Sequence, residues 1–132
     1  MPLLQLRIAA PAERELAARA AALVHRHTVE HLGKQPDLIA VAVDFVDPAT
    51  WFVAGRALAE TGRRSFSLEI KVTDETNTKD EKARFIAAVF ASFEQLLGPL
   101  HEESYIHVHD VRAASYGYGG RTQEWRYHRP RA

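Results

Sequence analysis

Residues 66–72 read Phe-Ser-Leu-Glu-Ile-Lys-Val, and this stretch begins the pattern that decides the fold. Apolar and polar side chains alternate along it, which is typical of a strand with one buried face. A helix is predicted over about Asp80–Leu97, where apolar residues recur at helical spacing, and Gly98 ends it. Residues 105–111, Tyr-Ile-His-Val-His-Asp-Val, form the next strand. The segment 65–111 is therefore predicted to be a β-α-β unit with two parallel strands.

The first half of the chain repeats this pattern. Residues 3–8, Leu-Leu-Gln-Leu-Arg-Ile, alternate like a half-buried strand, and a helix rich in good helix formers is predicted over about Ala12–His31. Gly33 ends this helix, and residues 38–46 form a near-continuous β-type run that favours a strand buried on both faces. Gly33 and Gly98 occupy the same place in the two halves, about 65 residues apart.

These elements predict an α/β fold with two tandem β-α-β units, about residues 2–46 and 65–111, forming one four-stranded sheet with two helices on one face. We expect a single domain over 1–120, in which 47–64 forms a loop with a short hairpin. A C-terminal tail over 121–132, rich in arginine, is expected to be partly disordered or ordered only against a neighbour. The second sheet face needs a partner, which oligomerisation supplies most simply, and we expect a homotrimer.

Composition and charge exclude several classes of function. The chain has no cysteine, which excludes disulfides, thiolate catalysis and cysteine-ligated zinc. Its 17 basic and 17 acidic side chains cancel, whereas nucleic-acid binding draws on a basic excess. No stretch approaches the roughly 20 apolar residues of a membrane span, and the start lacks the features of a signal peptide. We expect a cytoplasmic protein that binds neither nucleic acid nor membranes.

Pro2 is the strongest candidate for a catalytic residue. A proline after Met1 ordinarily indicates only that Met1 is removed, but here it directly opens a strand. An exposed α-amino group has a pKa of about 8, and burial or a nearby cation lowers that pKa. A neutral secondary amine on a rigid mount can then act as a general base on a C–H next to a carbonyl.

Three segments resemble the tautomerase superfamily. They are the opening Pro-Leu-Leu at residues 2–4, the Gly-Lys-Gln-Pro-Asp-Leu-Ile-Ala-Val stretch at 33–41, and the Tyr-Ile-His-Val-His-Asp-Val-Arg-Ala-Ala stretch at 105–114. The resemblance covers roughly residues 2–120 and includes both β-α-β units. It implies the same fold and a base at the amino-terminal proline.

The resemblance also implies roles for individual residues. Pro2 would be the base and proton shuttle, and Lys34 would hold the carboxylate or carbonyl oxygen of the substrate. Tyr105 and His107 would line the pocket from a neighbouring subunit. His107 departs from the family, since its relatives have an asparagine there.

The implied activity is keto–enol tautomerisation of a small anionic α-keto acid or enol, without a cofactor. Relatives that decarboxylate or dehalogenate carry paired arginines after the strand that opens the second unit, but residues 73–79 contain no arginine. A decarboxylase or hydratase of the same superfamily and a non-catalytic protein-binding member stay open as alternatives. Trp51 is a candidate apolar wall of the pocket. Further candidate cations are Arg56, Arg63, Arg64 and Lys71.

The segment His27-Thr28-Val29-Glu30-His31 gives a competing interpretation. It matches the H-x-x-E-H pattern of some zinc proteases, in which two histidines on one helix face bind zinc beside a glutamate base. Short patterns of this kind arise often by chance, and His27 falls on the apolar stripe of the predicted helix. We interpret His27 as a packed, hydrogen-bonded histidine and expect no metal.

Overall fold

A computed structural model describes residues 2–128, which form one mixed sheet, two long helices and several short elements. In chain order the elements are β1 Leu3–Ala9, α1 Arg14–Leu32, β2 Ala40–Val46, β3 Phe52–Val53, β4 Arg56–Ala57, α2 Leu58–Thr61, β5 Phe66–Thr73, α3 Lys79–Leu97, β6 Tyr105–Val111, β7 Gly117–Tyr118, β8 Arg121–Thr122 and α4 Gln123–Tyr127.

The main sheet has four strands in the order β2-β1-β5-β6. β1 is parallel to β2 and β5 is parallel to β6, while β1 and β5 run antiparallel at the centre. α1 connects the first parallel pair and α3 connects the second. The two predicted β-α-β units and the α/β class are therefore confirmed.

The core lies between the sheet and the two long helices, which pack against each other on one face. Alternate residues of the central strands, such as Leu4 and Leu6 in β1 and Leu68 in β5, are buried there. Phe66 of β5 stacks on Phe93 of α3 with ring centroids 4.3 Å apart. Each long helix buries one stripe only, and no helix within residues 2–128 has the length and apolar character to cross a bilayer.

Local signals at the helix ends explain where the helices stop and start. Gly33 has φ of +66°, a left-handed conformation that glycine adopts at little cost, and its N–H donates to the carbonyl of Val29. α3 begins with a capping box in which the Thr78 hydroxyl accepts from the N–H of Glu81 and the Glu81 carboxylate accepts from the N–H of Thr78. The predicted helices are confirmed with ends shifted by one or two residues.

β2 was predicted to be buried on both faces, but in the structure only one of its faces is covered. It is an edge strand, and its residues alternate between half-buried and exposed, with Ala40, Ala42 and Asp44 on the uncovered face. Its apolar run arose from small alanines there rather than from a second covering layer. A shallow depression of about 170 Å³ on this face has mostly polar walls, formed by Gln5, Leu6, Arg7, Ala42, Asp44, Ser67 and Glu69. The uncovered face is thus largely hydrophilic at this depression.

The segments outside the two units carry short ordered elements. β3 and β4 form the hairpin expected within residues 47–64, and α2 follows it. Contrary to the expectation of a partly disordered tail, β7 and β8 form a second hairpin and α4 follows directly. The Arg126 guanidinium lies 3.8 Å from the centre of the Tyr118 ring and holds these elements together. Residues 129–132 of the predicted tail lie outside the described part of the chain.

Candidate active site

Pro2 is buried immediately before β1. Its carbonyl accepts a hydrogen bond from the N–H of Ala40 at 3.1 Å, which ties it to the start of β2. Side chains alternate along a strand, so Pro2 lies on the helix-covered face together with Leu4. β5 runs antiparallel to β1, so β5 ends beside the start of β1. β6 is parallel to β5 and therefore ends at the same side of the sheet. We call this edge of the sheet, where β1 and β2 start and β5 and β6 end, the Pro2 end.

Lys34 reaches the same edge from the end of α1. It is half-buried, and its Nζ donates to Oγ1 of Thr76 at 3.0 Å, in the loop that follows β5. Burial lowers the pKa of Lys34 below the ordinary lysine value, and the negative charges of Glu81 and Asp110 offset part of this effect. A partly desolvated ammonium group interacts more strongly with a developing negative charge than one in bulk water does. Lys34 therefore has the properties of an anion-stabilising group.

A second lysine at the Pro2 end was missed by the sequence analysis. Lys82, in the first turn of α3, forms an ion pair with Asp110 near the end of β6, with Nζ 2.5 Å from Oδ2. The two residues are 28 positions apart in the sequence. The pair becomes visible only in the structure, where the start of α3 lies beside the end of β6. Since Asp110 balances the charge of Lys82, this pair supplies less net positive charge than an unpaired lysine would.

Tyr105 and His107 lie far from Pro2 within one chain. They project from the uncovered face of edge strand β6, whereas Pro2 lies on the helix-covered face. Through Ser67, Tyr105 lies level with Arg7, which is roughly 17 Å along β1 from Pro2. Through Glu69, His107 lies level with Gln5, roughly 10 Å along β1 from Pro2 and two strands away. The single chain thus does not bring them together, and only a neighbouring subunit could present them to Pro2.

The side chains of Tyr105 and His107 form an exposed row on β6. The two rings stack with centroids 5.9 Å apart, and the ring of His109 continues the row 5.7 Å further on. Tyr105 is 54% exposed, and its hydroxyl donates to the carboxylate of Glu103. That hydrogen bond and the negative charge of Glu103 raise the pKa of Tyr105 above its usual value.

Most of the other residues offered as cations or pocket walls lie away from the Pro2 end of their own chain. Arg64 donates to the carbonyl of Ala9, the last residue of β1, at 3.4 Å. Lys71 lies near the Pro2 end, two residues before the end of β5, but it is on the uncovered face whereas Pro2 is on the helix-covered face. The other three residues lie in the segment between the end of β2 and the start of β5, at the opposite end of the sheet from Pro2. They are Trp51, Arg56 and Arg63. Within one chain these residues supply neither a cation nor a wall beside Pro2.

His27 is buried between α1 and α3. Its Nε2 lies 2.8 Å from Oγ of Ser92 on α3. Burial lowers the pKa of His27, and the nearby Arg26 and His31 lower it further, while Glu30 opposes them. The interpretation of His27 as a packed, hydrogen-bonded histidine is confirmed.

Solved structures share this architecture across nearly the whole chain. Native fused 4-OT matches with a TM-score of 0.79 and 18% identity over 93% of this chain and 97% of that one. The protein Pt0534, inactivated by 2-oxo-3-pentynoate, matches with a TM-score of 0.80 and 14% identity over 96% of this chain and 99% of that one. A macrophage migration inhibitory factor homologue from Prochlorococcus marinus matches with a TM-score of 0.74 and 20% identity over 91% and 97%. These proteins are members of the tautomerase superfamily.

The chain has the tautomerase fold. No family model matches the sequence, and no curated protein matches it either. At 14–20% identity the likeness establishes the fold, and the chemistry has to be argued from the residues at the Pro2 end.

Proposed function

We propose that this protein is a keto–enol tautomerase in which Pro2, after removal of Met1, is the general base. The observation that carries the proposal is the place of Pro2: it is buried at the start of β1 in a tautomerase fold, at the same sheet end as Lys34. A buried amine favours its neutral form, since burial disfavours the charged ammonium.

In the proposed reaction the Pro2 nitrogen takes a proton from the carbon next to a carbonyl. The C–H electron pair forms a carbon–carbon double bond, and the carbonyl oxygen becomes an enolate. The Lys34 ammonium stabilises the negative charge that develops on this oxygen. The prolinium then returns the proton, either to oxygen or to another carbon, which regenerates the neutral amine and completes the isomerisation.

The proposed substrate is a small anionic α-keto acid or its enol. Lys34 supplies one cation, Lys82 is balanced by Asp110, and the loop over residues 73–79 carries no arginine. This charge balance suits one carboxylate or one enolate oxygen better than two carboxylates. It also disfavours the decarboxylase and dehalogenase reactions whose enzymes carry paired arginines in that loop.

We further propose that the working unit is a homotrimer with pockets shared between chains. Fused 4-OT proteins with this fold form symmetric and asymmetric trimers. The edge strands β2 and β6 leave backbone groups unpaired in the single chain, which gives a physical motive for assembly. Tyr105 and His107, exposed on β6, would enter the pocket of a neighbour. A cytoplasmic location stays a prediction from the sequence.

A spectrophotometric assay tests the proposed function. Phenylpyruvate and 2-hydroxymuconate are followed with two proteins, one beginning at Pro2 and one extended by a few residues before Pro2. The native form is expected to catalyse ketonisation, and the extended form is expected to be inactive because its Pro2 nitrogen is an amide. Equal activity in the two forms would contradict the mechanism. An inactive native form whose Pro2 is also chemically inert would favour the non-catalytic, protein-binding alternative.

A further inference from the structure

A second cluster of ionisable side chains lies on α1, outside the proposed tautomerase site. His27, Glu30 and His31 each present one potential ligand atom, and these atoms all lie within 4.8 Å of one another. Within residues 2–128 no other group of three His, Cys, Asp or Glu side chains meets this condition. The spacing explains the cluster, because residues three and four positions apart share one face of a helix.

His27 contributes a buried nitrogen with no partner. The residue is only 7% exposed, and its Nε2 forms a hydrogen bond with the Ser92 hydroxyl. Its Nδ1 is buried without a hydrogen bond. A neutral imidazole has one N–H donor and one lone pair. When Nε2–H donates to the Ser92 hydroxyl, the lone pair is on Nδ1. A buried acceptor left unpaired costs free energy, and a bound cation would satisfy it.

The other two side chains make the cluster accessible. His31 is half-buried and Glu30 is exposed, so an ion can enter from solvent and keep a water molecule as a further ligand. The rings of His27 and His31 are stacked with centroids 5.5 Å apart. Two nitrogens on one tetrahedral zinc ion lie about 3.3 Å apart, so the ligand atoms would close by at most about 1.5 Å. Rotation of the accessible Glu30 and His31 side chains can supply this movement.

The position in the helix also favours a cation. The cluster occupies the last turns of α1, which ends at Leu32. The carboxyl end of a helix carries a partial negative charge and unpaired carbonyl groups. Two imidazoles and one carboxylate form a ligand set that suits zinc and related divalent transition metals.

We propose that His27, Glu30 and His31 form a divalent-metal site that takes zinc, with Ser92 as the positioning residue that orients the His27 ring. This inference revises the expectation of no metal and is independent of the proposed tautomerase mechanism, which uses none. The packing of His27 was predicted correctly, but that same packing leaves its Nδ1 buried without a hydrogen bond.

Calorimetric titration with zinc tests the site on the full-length protein, freed of any affinity tag. We expect about one ion per chain with micromolar or tighter affinity. His31→Ala and Glu30→Gln should each weaken binding about tenfold or more, the loss associated with disturbing a metal site. His25→Ala is the matched control, since His25 lies on the same helix but its Nε2 contacts the carbonyl of Pro36. Its affinity for zinc should equal that of the wild type.

Two further measurements identify the ligands. Cobalt bound in place of zinc should give the intense visible absorption of a tetrahedral site, and His31→Ala should reduce it. Ser92→Ala should weaken zinc binding without changing the stoichiometry, which a purely structural role of Ser92 would not do. The proposal is overturned if zinc does not bind at micromolar concentrations. It is equally overturned if His31→Ala binds like the wild type, or if the loss follows His107→Ala or His109→Ala instead.

Discussion

At the residue scale, the proposed chemistry depends on Lys34 being a cation in a partly desolvated place. Its ammonium group is held by Thr76 rather than by a carboxylate contact, and Asp110 is directly paired with Lys82 instead. The lysine is thus positioned without being neutralised by a close ion pair. That arrangement leaves it able to respond to a negative charge on a bound substrate.

Replacing Lys34 should damage catalysis more than folding. We expect Lys34→Ala to lower kcat/KM for phenylpyruvate ketonisation by about a hundredfold, the usual effect of removing one donor that stabilises an oxyanion. Lys79→Ala is the matched control, because Lys79 is an exposed lysine at the start of α3. Steady-state kinetics on both variants check this. An equal loss of kcat/KM in the two variants would show that Lys34 acts only through the net positive charge of the protein.

The pH dependence of the reaction should carry the signature of the same lysine. Burial lowers the pKa of Lys34, so the activity should decline at alkaline pH with a midpoint below the ordinary lysine value of 10.5. Activity declines as the pH rises because the charged form of Lys34 is the active one. A lysine with a lowered pKa loses its charge at a lower pH than an ordinary lysine. In Lys34→Arg the decline should disappear, because the guanidinium stays protonated. A decline that is unchanged in Lys34→Arg would assign it to another group.

At the element scale, the start of α3 organises the Pro2 end. The loop over 74–78 carries Thr76, which holds Lys34, and Asn77, whose side-chain amide donates to the carbonyl of Leu32 at the end of α1. The capping box of Thr78 and Glu81 fixes the point at which this loop becomes helix. The end of α1 and the start of α3 are therefore held to each other by side-chain hydrogen bonds.

Removing the cap should destabilise the protein measurably. Thr78→Ala should lower the free energy of unfolding by about 1 kcal/mol, whereas Thr78→Ser, which keeps the hydroxyl, should change it little. Urea unfolding at a fixed protein concentration measures both, since assembly alters apparent stability.

The contribution of the cap should also depend on pH. The hydrogen bond from the Thr78 N–H lowers the pKa of Glu81, so this contribution is present at neutral pH. It is lost as the pH falls through the lowered pKa. The difference in unfolding free energy between wild type and Glu81→Ala should therefore shrink in acid, and a constant difference would show that the carboxylate charge is not involved.

The elements were predictable where a local pattern alone determines them. Alternation identified β1 and β5, and the glycines that end both long helices identified their limits. The exposure of β2 was not predictable, because its alanines fit a buried strand as well as an uncovered edge. The Lys82–Asp110 pair and the orphaned Nδ1 of His27 depend on how α3 packs against α1 and β6, which no local pattern encodes.

At the scale of the whole molecule, one chain holds only part of the proposed pocket. Pro2 and Lys34 lie at one end of the sheet, while Tyr105 lies towards the other end and His107 near the middle, both on the opposite face. The resemblance of segment 105–114 to the tautomerase superfamily located these two residues in the sequence, but their contact with Pro2 requires a second chain. Assembly is thus part of the proposed site rather than an addition to it.

Mixed assemblies should recover activity that neither parent has. Lys34→Ala chains retain an intact Tyr105, and Tyr105→Ala chains retain an intact Pro2 and Lys34. When the two are dissociated and reassembled together, some interfaces combine the intact halves, so the activity should exceed the mean of the two parents. Sedimentation of the mixture should give a mass of three chains. Activity equal to the parental mean would place the whole site within one chain.

Covalent labelling tests whether the Pro2 nitrogen is a neutral, reactive amine near neutral pH. The protein beginning at Pro2 is treated with 2-oxo-3-pentynoate, the compound that inactivates Pt0534, and the adduct is located by peptide mass spectrometry. We expect one adduct per chain on Pro2, formed in step with the loss of tautomerase activity and absent from the extended protein. An unlabelled Pro2, or full activity after Pro2 is labelled, would contradict this expectation.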